Sequence, residues 1–422
     1  MIHTSLRVAL ILLTCAALSL GAYASSEPVT LEVWFQQSEE GLFPHGETES
    51  RLQLFHEAFP NVRVEMEFSV GLDEYLTRVA GGIVPDVYSP GDNIPEFAAK
   101  GYLEPLDSFL SRSDLSPEDF WSQQLIRNTF RGELFGLPLR AVPHMGLAYN
   151  TDHLQQSGLE PAITIADLDL QASRLLQRRS DGTITRLGFV PWEASAFHNA
   201  FLIWSLAHGG SMWDADSDRL TVDNPNNVSA VEWIVSHTSN QTLSEYQQLR
   251  RAAGNHLGLF GGGSLSYLLL TPPQVSRILE EYPETNIGVT YPPYKVGSAK
   301  PQATTFIAGP SIGIPKNAAH PDEAWAFIQF MISNAGRHPD DLGVLRDIDR
   351  FRENFADNPI DFFFAEVMFH SPPIGRPPIP NTNTWYQEVN ASLVPLLERE
   401  RSPQDMIGQI QQRLEAELAE LL

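Results

Sequence analysis

Aromatic and planar polar side chains occur together at several points where helical periodicity does not assign them to a core. They are Trp34, Gln36, Gln37, Trp192, Glu193 and Trp385. An indole ring offers a flat apolar face, and amide and carboxylate groups form hydrogen bonds at the edge of a bound molecule. The combination predicts a site for a small ligand that has both apolar faces and hydroxyl groups. The alternatives are that the tryptophans only cover a core and that the glutamines cap a loop.

Arg140 is a further candidate because it follows Pro138 and stands near His144. A guanidinium group binds a carboxylate or a phosphate through two parallel hydrogen bonds. If Arg140 forms such a clamp, the ligand is acidic. The alternative is an ion pair between Arg140 and one of the 52 acidic residues of the chain.

Metal-binding motifs are missing from the sequence. The twelve histidines form no HxxH or HxH pair. Asp214, Asp216 and Asp218 begin like a calcium loop, but Arg219 and Pro225 replace the glycine and the glutamate that such a loop needs. These patterns predict a protein without a bound metal or cofactor, and we expect no enzymatic activity. A count of carboxylates does not by itself exclude a glycosidase pair.

The first predicted elements are a strand, a helix and a second strand within forty residues. The strand Val29–Phe35 alternates in polarity, and a polar loop, a helix and another strand are predicted for residues 36–46, 48–59 and 62–68. Such a βαβ unit has parallel strands, and ligands bind at the carboxyl ends of these strands. The residues that directly follow the first strand are therefore expected at a binding edge.

Other patterns predict further elements and core positions. A short strand is predicted for residues 85–88, a helix for 93–100 and a final helix for 402–422. Trp204 and Trp325 lie on apolar helical stripes, so we expect both in a core. The segment around Trp385, in contrast, is predicted to be irregular, so we expect Trp385 to lie outside a core.

The first 24 residues have the pattern of a secretory signal peptide. Arg7 precedes an apolar run, residues 8–20, and Ala22-Tyr23-Ala24 fits signal peptidase cleavage. This run is too short for a membrane-spanning helix, which needs about 20 residues. The alternative is lipidation at Cys15, the only cysteine. In both cases we predict export, and we expect the mature chain to be soluble in the periplasm.

The charge of the chain excludes some classes of partner. The net charge is -24, with 52 acidic against 28 basic residues. Nucleic acid and anionic lipid both require a basic surface, so neither is an expected partner. The length is enough for two or more domains, because single cores stop growing beyond about 250–300 residues.

Further sequence blocks occur at residues 85–87, 97–107, 132–138, 148–152, 209–223, 312–317 and 321–331. In this order they resemble the extracellular solute-binding proteins of bacterial ABC importers, family 1, the maltose-binding-protein-like sugar binders. The motif Pro85-Asp86-Val87 and the segment Gly132-Glu133-Leu134-Phe135-Gly136-Leu137-Pro138 are examples. No single block is specific, but together and in this order they span about three quarters of the chain.

The resemblance implies an α/β, two-lobed periplasmic binding protein fold of type II, with the ligand in a cleft that closes by a hinge motion. The first lobe is expected to comprise residues 25–138 and 303–345, and the second residues 139–302 and 346–422. The implied function is that of the monomeric binding component of an ABC importer. It would capture a sugar or oligosaccharide and deliver it to the permease subunits.

The resemblance also implies particular ligand contacts. Asp92 and Asn93, after the strand predicted for residues 85–88, would bind ligand hydroxyls, although Asp92 could instead cap the following helix. Phe306 and Gly309 would contact the ligand from the returning segment, and Trp34 would reach into the cleft. Two other functions stay open, a secreted carbohydrate-active enzyme and a binder that feeds a sensor. Monosaccharides to oligosaccharides, sugar acids and glycerol phosphate diesters all stay open as ligands.

Overall fold

The structure, a computed structural model, describes residues 28–43, 47–140, 142–143, 145–214, 217, 219–298, 306–333, 360, 363–364, 374–375, 379 and 381–421. The predicted signal peptide with Cys15, His144 and the residues just before Phe306 lie outside this part of the chain. No helix in the described part is both long enough and apolar enough to cross a membrane.

The described strands and helices alternate along the chain. In chain order the strands are β1 (Val29–Phe35), β2 (Val62–Glu67), β3 (Val87–Gly91), β4 (Thr129–Phe130), β5 (Glu133–Leu134), β6 (Leu137–Pro138), β7 (Val142–Pro143), β8 (Gly146–Asn150), β9 (Gln177–Arg178), β10 (Ile184–Phe189), β11 (Trp213–Asp214), β12 (Arg219–Leu220), β13 (Leu265–Leu270), β14 (Ile287–Thr290), β15 (Phe306–Ala308), β16 (Ser311–Gly313) and β17 (Ile374–Gly375). The α-helices are α1 (Glu39–Leu42), α2 (Glu47–Ala58), α3 (Leu72–Ala80), α4 (Ile94–Ala99), α5 (Asp107–Leu110), α6 (Ser122–Arg127), α7 (Thr151–Gln156), α8 (Ile165–Leu175), α9 (Phe197–Ala207), α10 (Pro225–Ser236), α11 (Leu243–Ala252), α12 (His256–Gly261), α13 (Pro272–Glu281), α14 (Pro321–Ile332), α15 (Thr382–Leu397) and α16 (Pro403–Leu421).

The chain divides into two compact units. The first lies within the bounds Met1–Val142 and Ala308–Asp347, and the second within Pro143–Ile307 and Ile348–Leu422. Each unit contains a five-stranded sheet with helices packed against it.

The first unit is built on the sheet β2-β1-β3-β16-β6. β1 runs parallel to β2 and to β3, so the predicted βαβ unit is confirmed, with α2 as its crossover helix. In β1, Val29, Leu31 and Val33 are buried while the intervening side chains are exposed, as expected for a half-buried strand. Phe55 of α2 packs edge-on against Phe327 of α14, which closes the core on that side.

The second unit is built on the sheet β14-β8-β13-β10-β9. β10 and β13 are parallel, and β8 is antiparallel to β13. Trp204 of α9 is fully buried, as predicted, and so is Trp325 of the first unit. The predicted final helix is confirmed as α16, and Ser402 accepts a hydrogen bond from the backbone N–H of Asp405 at its start.

Three details differ from the sequence predictions. The segment predicted as a polar loop, residues 36–46, contains the helix α1. The strand predicted to end at Tyr88 continues to Gly91, because it pairs with β16, a segment more than 200 residues later. The stretch around Trp385 is not irregular but is the first turn of α15.

Candidate functional site

Five of the predicted ligand-binding residues lie at one edge of the first unit's sheet. We call this edge the first-unit surface; its residues are Gln36, Gln37, Asp92, Asn93 and Gly309. The carboxyl ends of the parallel strands β1 and β3 meet there, and antiparallel β16 begins there. The backbone N–H of Gln36 donates to the carbonyl oxygen of Ser89 at 3.0 Å, which fixes the end of β1 beside β3. The sheet topology therefore brings these residues together from three distant segments.

Gly91 gives the two glutamines their place on this surface. Its φ is +65°, a value that favours glycine. A Cβ atom at Gly91 would lie 2.5 Å from Nε2 of Gln37 and 3.2 Å from Oε1 of Gln36. Both amide side chains therefore lie against the end of β3, and any larger residue at position 91 would displace them.

A buried arginine holds Asp92. Arg127 Nη1 donates to Oδ1 of Asp92 at 2.9 Å, and Nη2 donates to Oγ of Ser311 at 2.9 Å and to the carbonyl oxygen of Gly309. The side chain of Arg127 is only 4% exposed, whereas that of Asp92 is 25% exposed. Asp92 is therefore the accessible member of the pair. Sequence reasoning missed Arg127, because nothing in the sequence indicates which carboxylate a basic residue on a short helix will meet.

Asn93, not Asp92, is the N-cap residue of α4, and its side chain does not bond the helix backbone. The alternative role of Asp92 as a helix cap was therefore wrong, since its carboxylate turns to Arg127 instead. The side chain of Asn93 is buried, and its Oδ1 has no hydrogen-bond partner among the described residues. A buried carbonyl oxygen that accepts no hydrogen bond destabilises the folded protein unless a ligand or a water molecule supplies the donor.

Arg140 follows β6 at the boundary of the first unit. Its Nη1 donates to the carbonyl oxygen of Leu42 at 3.5 Å, and its own carbonyl oxygen accepts from the Gln124 amide at 3.4 Å. These contacts test neither the anion clamp nor the ion pair, so both stay predictions.

Glu193 of the second unit is the centre of a polar cluster that follows β10. The hydroxyl of Tyr246 donates to Oε2 of Glu193, and Arg250 Nε lies 3.5 Å from the same oxygen. Nδ1 of His256 lies 3.9 Å from Oε1. Burial and the neighbouring Glu193 charge raise the pKa of the Tyr246 hydroxyl, and burial lowers the pKa of His256. Near neutral pH, Tyr246 is therefore a neutral donor to a carboxylate that is only 12% exposed.

Trp192, next to Glu193, is buried against Tyr246. The two rings meet edge to face, with 5.8 Å between their centroids. The indole Nε1–H has no acceptor among the described residues. Like the Oδ1 of Asn93, this buried group lacks the partner that buried polar groups normally have.

The carboxyl end of β13 adds to the same edge of the second unit. Gln274 accepts a hydrogen bond from the backbone N–H of Thr271 and donates from Nε2 to Oγ of Ser195 at 2.7 Å. Its Nε2 also lies 3.3 Å from Nε2 of His256. We call this edge the second-unit surface; its residues are Trp192, Glu193, Ser195, Tyr246, Arg250, His256 and Gln274. Of these residues only Trp192 and Glu193 were predicted from the sequence, because Tyr246, Arg250, His256 and Gln274 lie on helices whose packing has no sequence signal, and Ser195 lies in the loop after Glu193.

Three further predicted residues lie in other surroundings. Trp34 belongs to the core of the first unit, where its ring meets Tyr75 edge-on and lies under the Arg78 guanidinium at 4.7 Å. Trp385 is buried in α15, with Phe201 of α9 among its ring neighbours, so its expected position outside a core was wrong. Phe306 lies in β15 and pairs through its backbone with Ile374. Ligand contact by these three residues stays a prediction.

Metal binding has no candidate in the described ranges. No group of three or more His, Cys, Asp or Glu side chains there is arranged to hold a metal ion.

Comparisons with known proteins place the chain in a family. Residues 45–338 match the family of bacterial extracellular solute-binding proteins. Because the match covers more than half of the 422 residues, the chain belongs to this family of binding proteins. None of the curated proteins matches the sequence.

Solved structures of low sequence identity share the fold. The protein CpMnBP1 with mannotriose bound is 20% identical, with a TM-score of 0.73 over 92% of this chain and 100% of that one. An ABC substrate-binding protein from Listeria monocytogenes in complex with cycloalternan is 17% identical, with a TM-score of 0.73 over 93% and 100%. UgpB from Mycobacterium tuberculosis in complex with glycerophosphocholine is 19% identical, with a TM-score of 0.68 over 94% and 99%. These likenesses confirm the predicted fold class, the α/β periplasmic binding protein fold of type II.

Proposed function

We propose that this chain is the substrate-binding component of an ABC importer and that it captures a neutral sugar or oligosaccharide for the membrane permease. The proposed ligand-binding residues are those of the first-unit and second-unit surfaces. The predicted signal peptide supports a place in the periplasm. Membership of a family of binding proteins supports capture and release rather than catalysis.

The observation on which this proposal rests is the charge balance of the two surfaces. Asp92 is paired with Arg127 of its own unit, and Glu193 lies beside Arg250 of its own unit. A cationic ligand group would have to compete with these arginines for the carboxylates, and an anionic group would have to compete with the carboxylates for the arginines. A hydroxyl group, which can donate to a carboxylate and accept from an amide, meets neither obstacle.

The unpartnered polar atoms on the two surfaces support the same class of ligand. Oδ1 of Asn93 requires a donor and Nε1 of Trp192 requires an acceptor. A sugar hydroxyl can satisfy either, because it has one hydrogen to donate and two lone pairs. Among the proteins of similar fold, two hold mannotriose and cycloalternan, which are neutral saccharides.

A ligand that carries a phosphate or carboxylate group is the second candidate because UgpB, of similar fold, holds the zwitterionic phosphodiester glycerophosphocholine. Arg140 is the residue of this chain that would bind the phosphate. Its Nη1 donates to the Leu42 carbonyl oxygen at 3.5 Å. The neutral saccharide is favoured because the first-unit surface presents Asp92 to the ligand.

A thermal unfolding screen tests the proposal. The chain is heated with mannotriose, maltotetraose, galacturonate or glycerophosphocholine, and the sugars are afterwards analysed by mass spectrometry. A neutral saccharide should raise the melting temperature and be recovered intact, since a ligand at 100 times its Kd stabilises the folded state by about 2.7 kcal/mol. Stabilisation by glycerophosphocholine or galacturonate alone would favour a ligand that carries a phosphate or carboxylate group. Cleavage of a saccharide would instead favour an enzyme.

A further inference from the structure

Arg127 joins three segments of the first unit through one guanidinium group. It ends α6, and its two terminal nitrogens bond Asp92 after β3, the Gly309 carbonyl before β16, and the Ser311 hydroxyl at the start of β16. Asp92 and Gly309 both belong to the first-unit surface. The residue that connects them is itself almost completely buried, at 4% exposure.

We infer that Arg127 is a positioning residue for ligand binding, which acts through Asp92; this inference rests on the proposed function. A side chain as covered as that of Arg127 offers almost no surface to a ligand, whereas the quarter of Asp92 that is exposed can accept from a ligand hydroxyl. The charged hydrogen bond from Nη1 fixes the carboxylate in one orientation before the ligand arrives. A group that is ordered in advance loses less conformational freedom on binding, which strengthens affinity.

The arginine also fixes the backbone on the other side of Asp92. Gly309 has φ +137°, which residues with a side chain rarely adopt, and its carbonyl oxygen is turned to Nη2 of Arg127. Ser311 pairs with Gly91 across the sheet, directly before Asp92. The guanidinium of Arg127 therefore sets the distance between the Asp92 carboxylate and the segment from Gly309 to Ser311.

A lysine at position 127 cannot form the same set of hydrogen bonds. The planar guanidinium presents five donors in fixed directions, whereas an ammonium group is a single point charge on a flexible stem. Arg127→Lys keeps the positive charge beside Asp92 but cannot hold Asp92, Gly309 and Ser311 in one geometry. If Arg127 only stabilised the fold, the lysine variant would melt at a lower temperature and bind with unchanged affinity when folded.

Calorimetric titration of the full mature chain with mannotriose separates these roles. The set comprises the wild type, Arg127→Lys, Asp92→Asn, the double variant and, as a matched control, Arg112→Lys. Arg112 forms an exposed ion pair with Asp322 in the same unit and lies outside the first-unit surface. Titrations are run well below each variant's melting temperature, which circular dichroism measures.

The expected losses of affinity are about 10-fold for Arg127→Lys and about 10-fold for Asp92→Asn, the size of one charge-assisted hydrogen bond. The double variant should lose no more than the larger single change, because both act through the same carboxylate. Arg112→Lys should bind within about 2-fold of the wild type, as expected for an exposed pair.

Three results would overturn the inference. The first is an Arg127→Lys variant that melts earlier but binds as the wild type does. The second is a double variant whose loss is the product of the two single losses, since Arg127 would then act independently of Asp92. The third is a wild-type chain that binds no saccharide of the panel, which removes the proposed function itself.

A milder variant keeps the inference testable if Arg127→Lys fails to fold. Ser311→Ala removes one acceptor from Arg127 and leaves the charged pair intact. It should weaken mannotriose binding about 3-fold in the wild-type background and not at all beside Asp92→Asn. Equal weakening in both backgrounds, or none in either, would contradict the positioning role.

Discussion

Ser89 donates its hydroxyl hydrogen to the carbonyl oxygen of Ser311, with 2.8 Å between the two oxygens, although 222 residues separate them in the sequence. Both residues are fully buried in the first unit. The bond joins β3 to β16 directly beneath the first-unit surface, between Gly91 and the segment that Arg127 holds.

The Ser89–Ser311 bond predicts a stability effect. Ser89→Ala should lower the free energy of unfolding by about 1–3 kcal/mol, because the Ser311 carbonyl loses its donor inside the protein. Urea unfolding followed by circular dichroism measures the change. Ser111→Ala is the matched control, since the Ser111 hydroxyl bonds the Ser108 carbonyl on the surface. If the two variants lose equal stability, the buried bond has no special role.

Tyr246 predicts an effect on ligand affinity from the second unit. Tyr246→Phe removes the hydroxyl that donates to Glu193, so affinity for mannotriose should fall about 10-fold. Tyr267→Phe is the control, because the Tyr267 hydroxyl bonds Gln171 inside the same unit, away from the second-unit surface. Calorimetric titration should show unchanged affinity for the folded Tyr267 variant. A Tyr246 variant that binds like the wild type would contradict the prediction that the Tyr246 hydroxyl orients Glu193 for the ligand.

Trp192 predicts an optical signal. Because its ring lies on the second-unit surface, binding of mannotriose should shift the tryptophan emission of the wild type. Trp192→Phe should lose this shift and bind about 10-fold more weakly, since phenylalanine has no N–H to donate. Trp121→Phe, a change of a buried tryptophan in the first unit, should keep the shift. An emission shift that persists in the Trp192→Phe variant would show that another tryptophan responds to the ligand, which would contradict the prediction.

His153 predicts a pH dependence of stability. Burial, together with the charge of Arg186, lowers the pKa of His153 to about 4, and Nδ1 lies 2.9 Å from the Ser266 hydroxyl. An unfolded histidine titrates near 6.5, so as the pH falls from about 6.5 to about 4 the unfolded chain takes up a proton that the folded chain refuses. His153 therefore contributes stability above pH 6.5 that is lost over this interval, at most about 3 kcal/mol.

Urea unfolding between pH 7 and pH 4 measures this contribution as the difference between the wild type and His153→Asn. The variant should show a shallower loss of stability over the interval, because asparagine does not titrate. Since His208 and His256 also have a lowered pKa, the variant should retain part of the slope. Identical slopes for the two chains would contradict the prediction.

Local pattern was sufficient to predict the elements at the start of the chain. Alternation in residues 29–35 and the spacing of Phe55 and Phe59 predicted β1 and α2, because side-chain periodicity follows directly from strand and helix geometry. The same reasoning correctly placed Gln36 and Gln37 at the carboxyl end of a parallel strand.

Contacts between segments that are distant in the chain could not be predicted from the sequence. β3 extends to Gly91 only because β16 pairs with it, and Asp92 turns from the helix cap to Arg127 only because α6 packs nearby. Trp385 has neighbours of mixed polarity, so its burial against α9 left no periodic signal. In each case tertiary packing decided what local preference left open.

The most direct test of the account is a calorimetric comparison of mannotriose with glycerophosphocholine on the wild-type chain. A charge-balanced surface at Asp92 and at Glu193 predicts that the neutral trisaccharide binds and that the zwitterionic phosphodiester binds at least about 100-fold more weakly or not at all. Tighter binding of glycerophosphocholine would contradict the assignment of a neutral saccharide as the ligand.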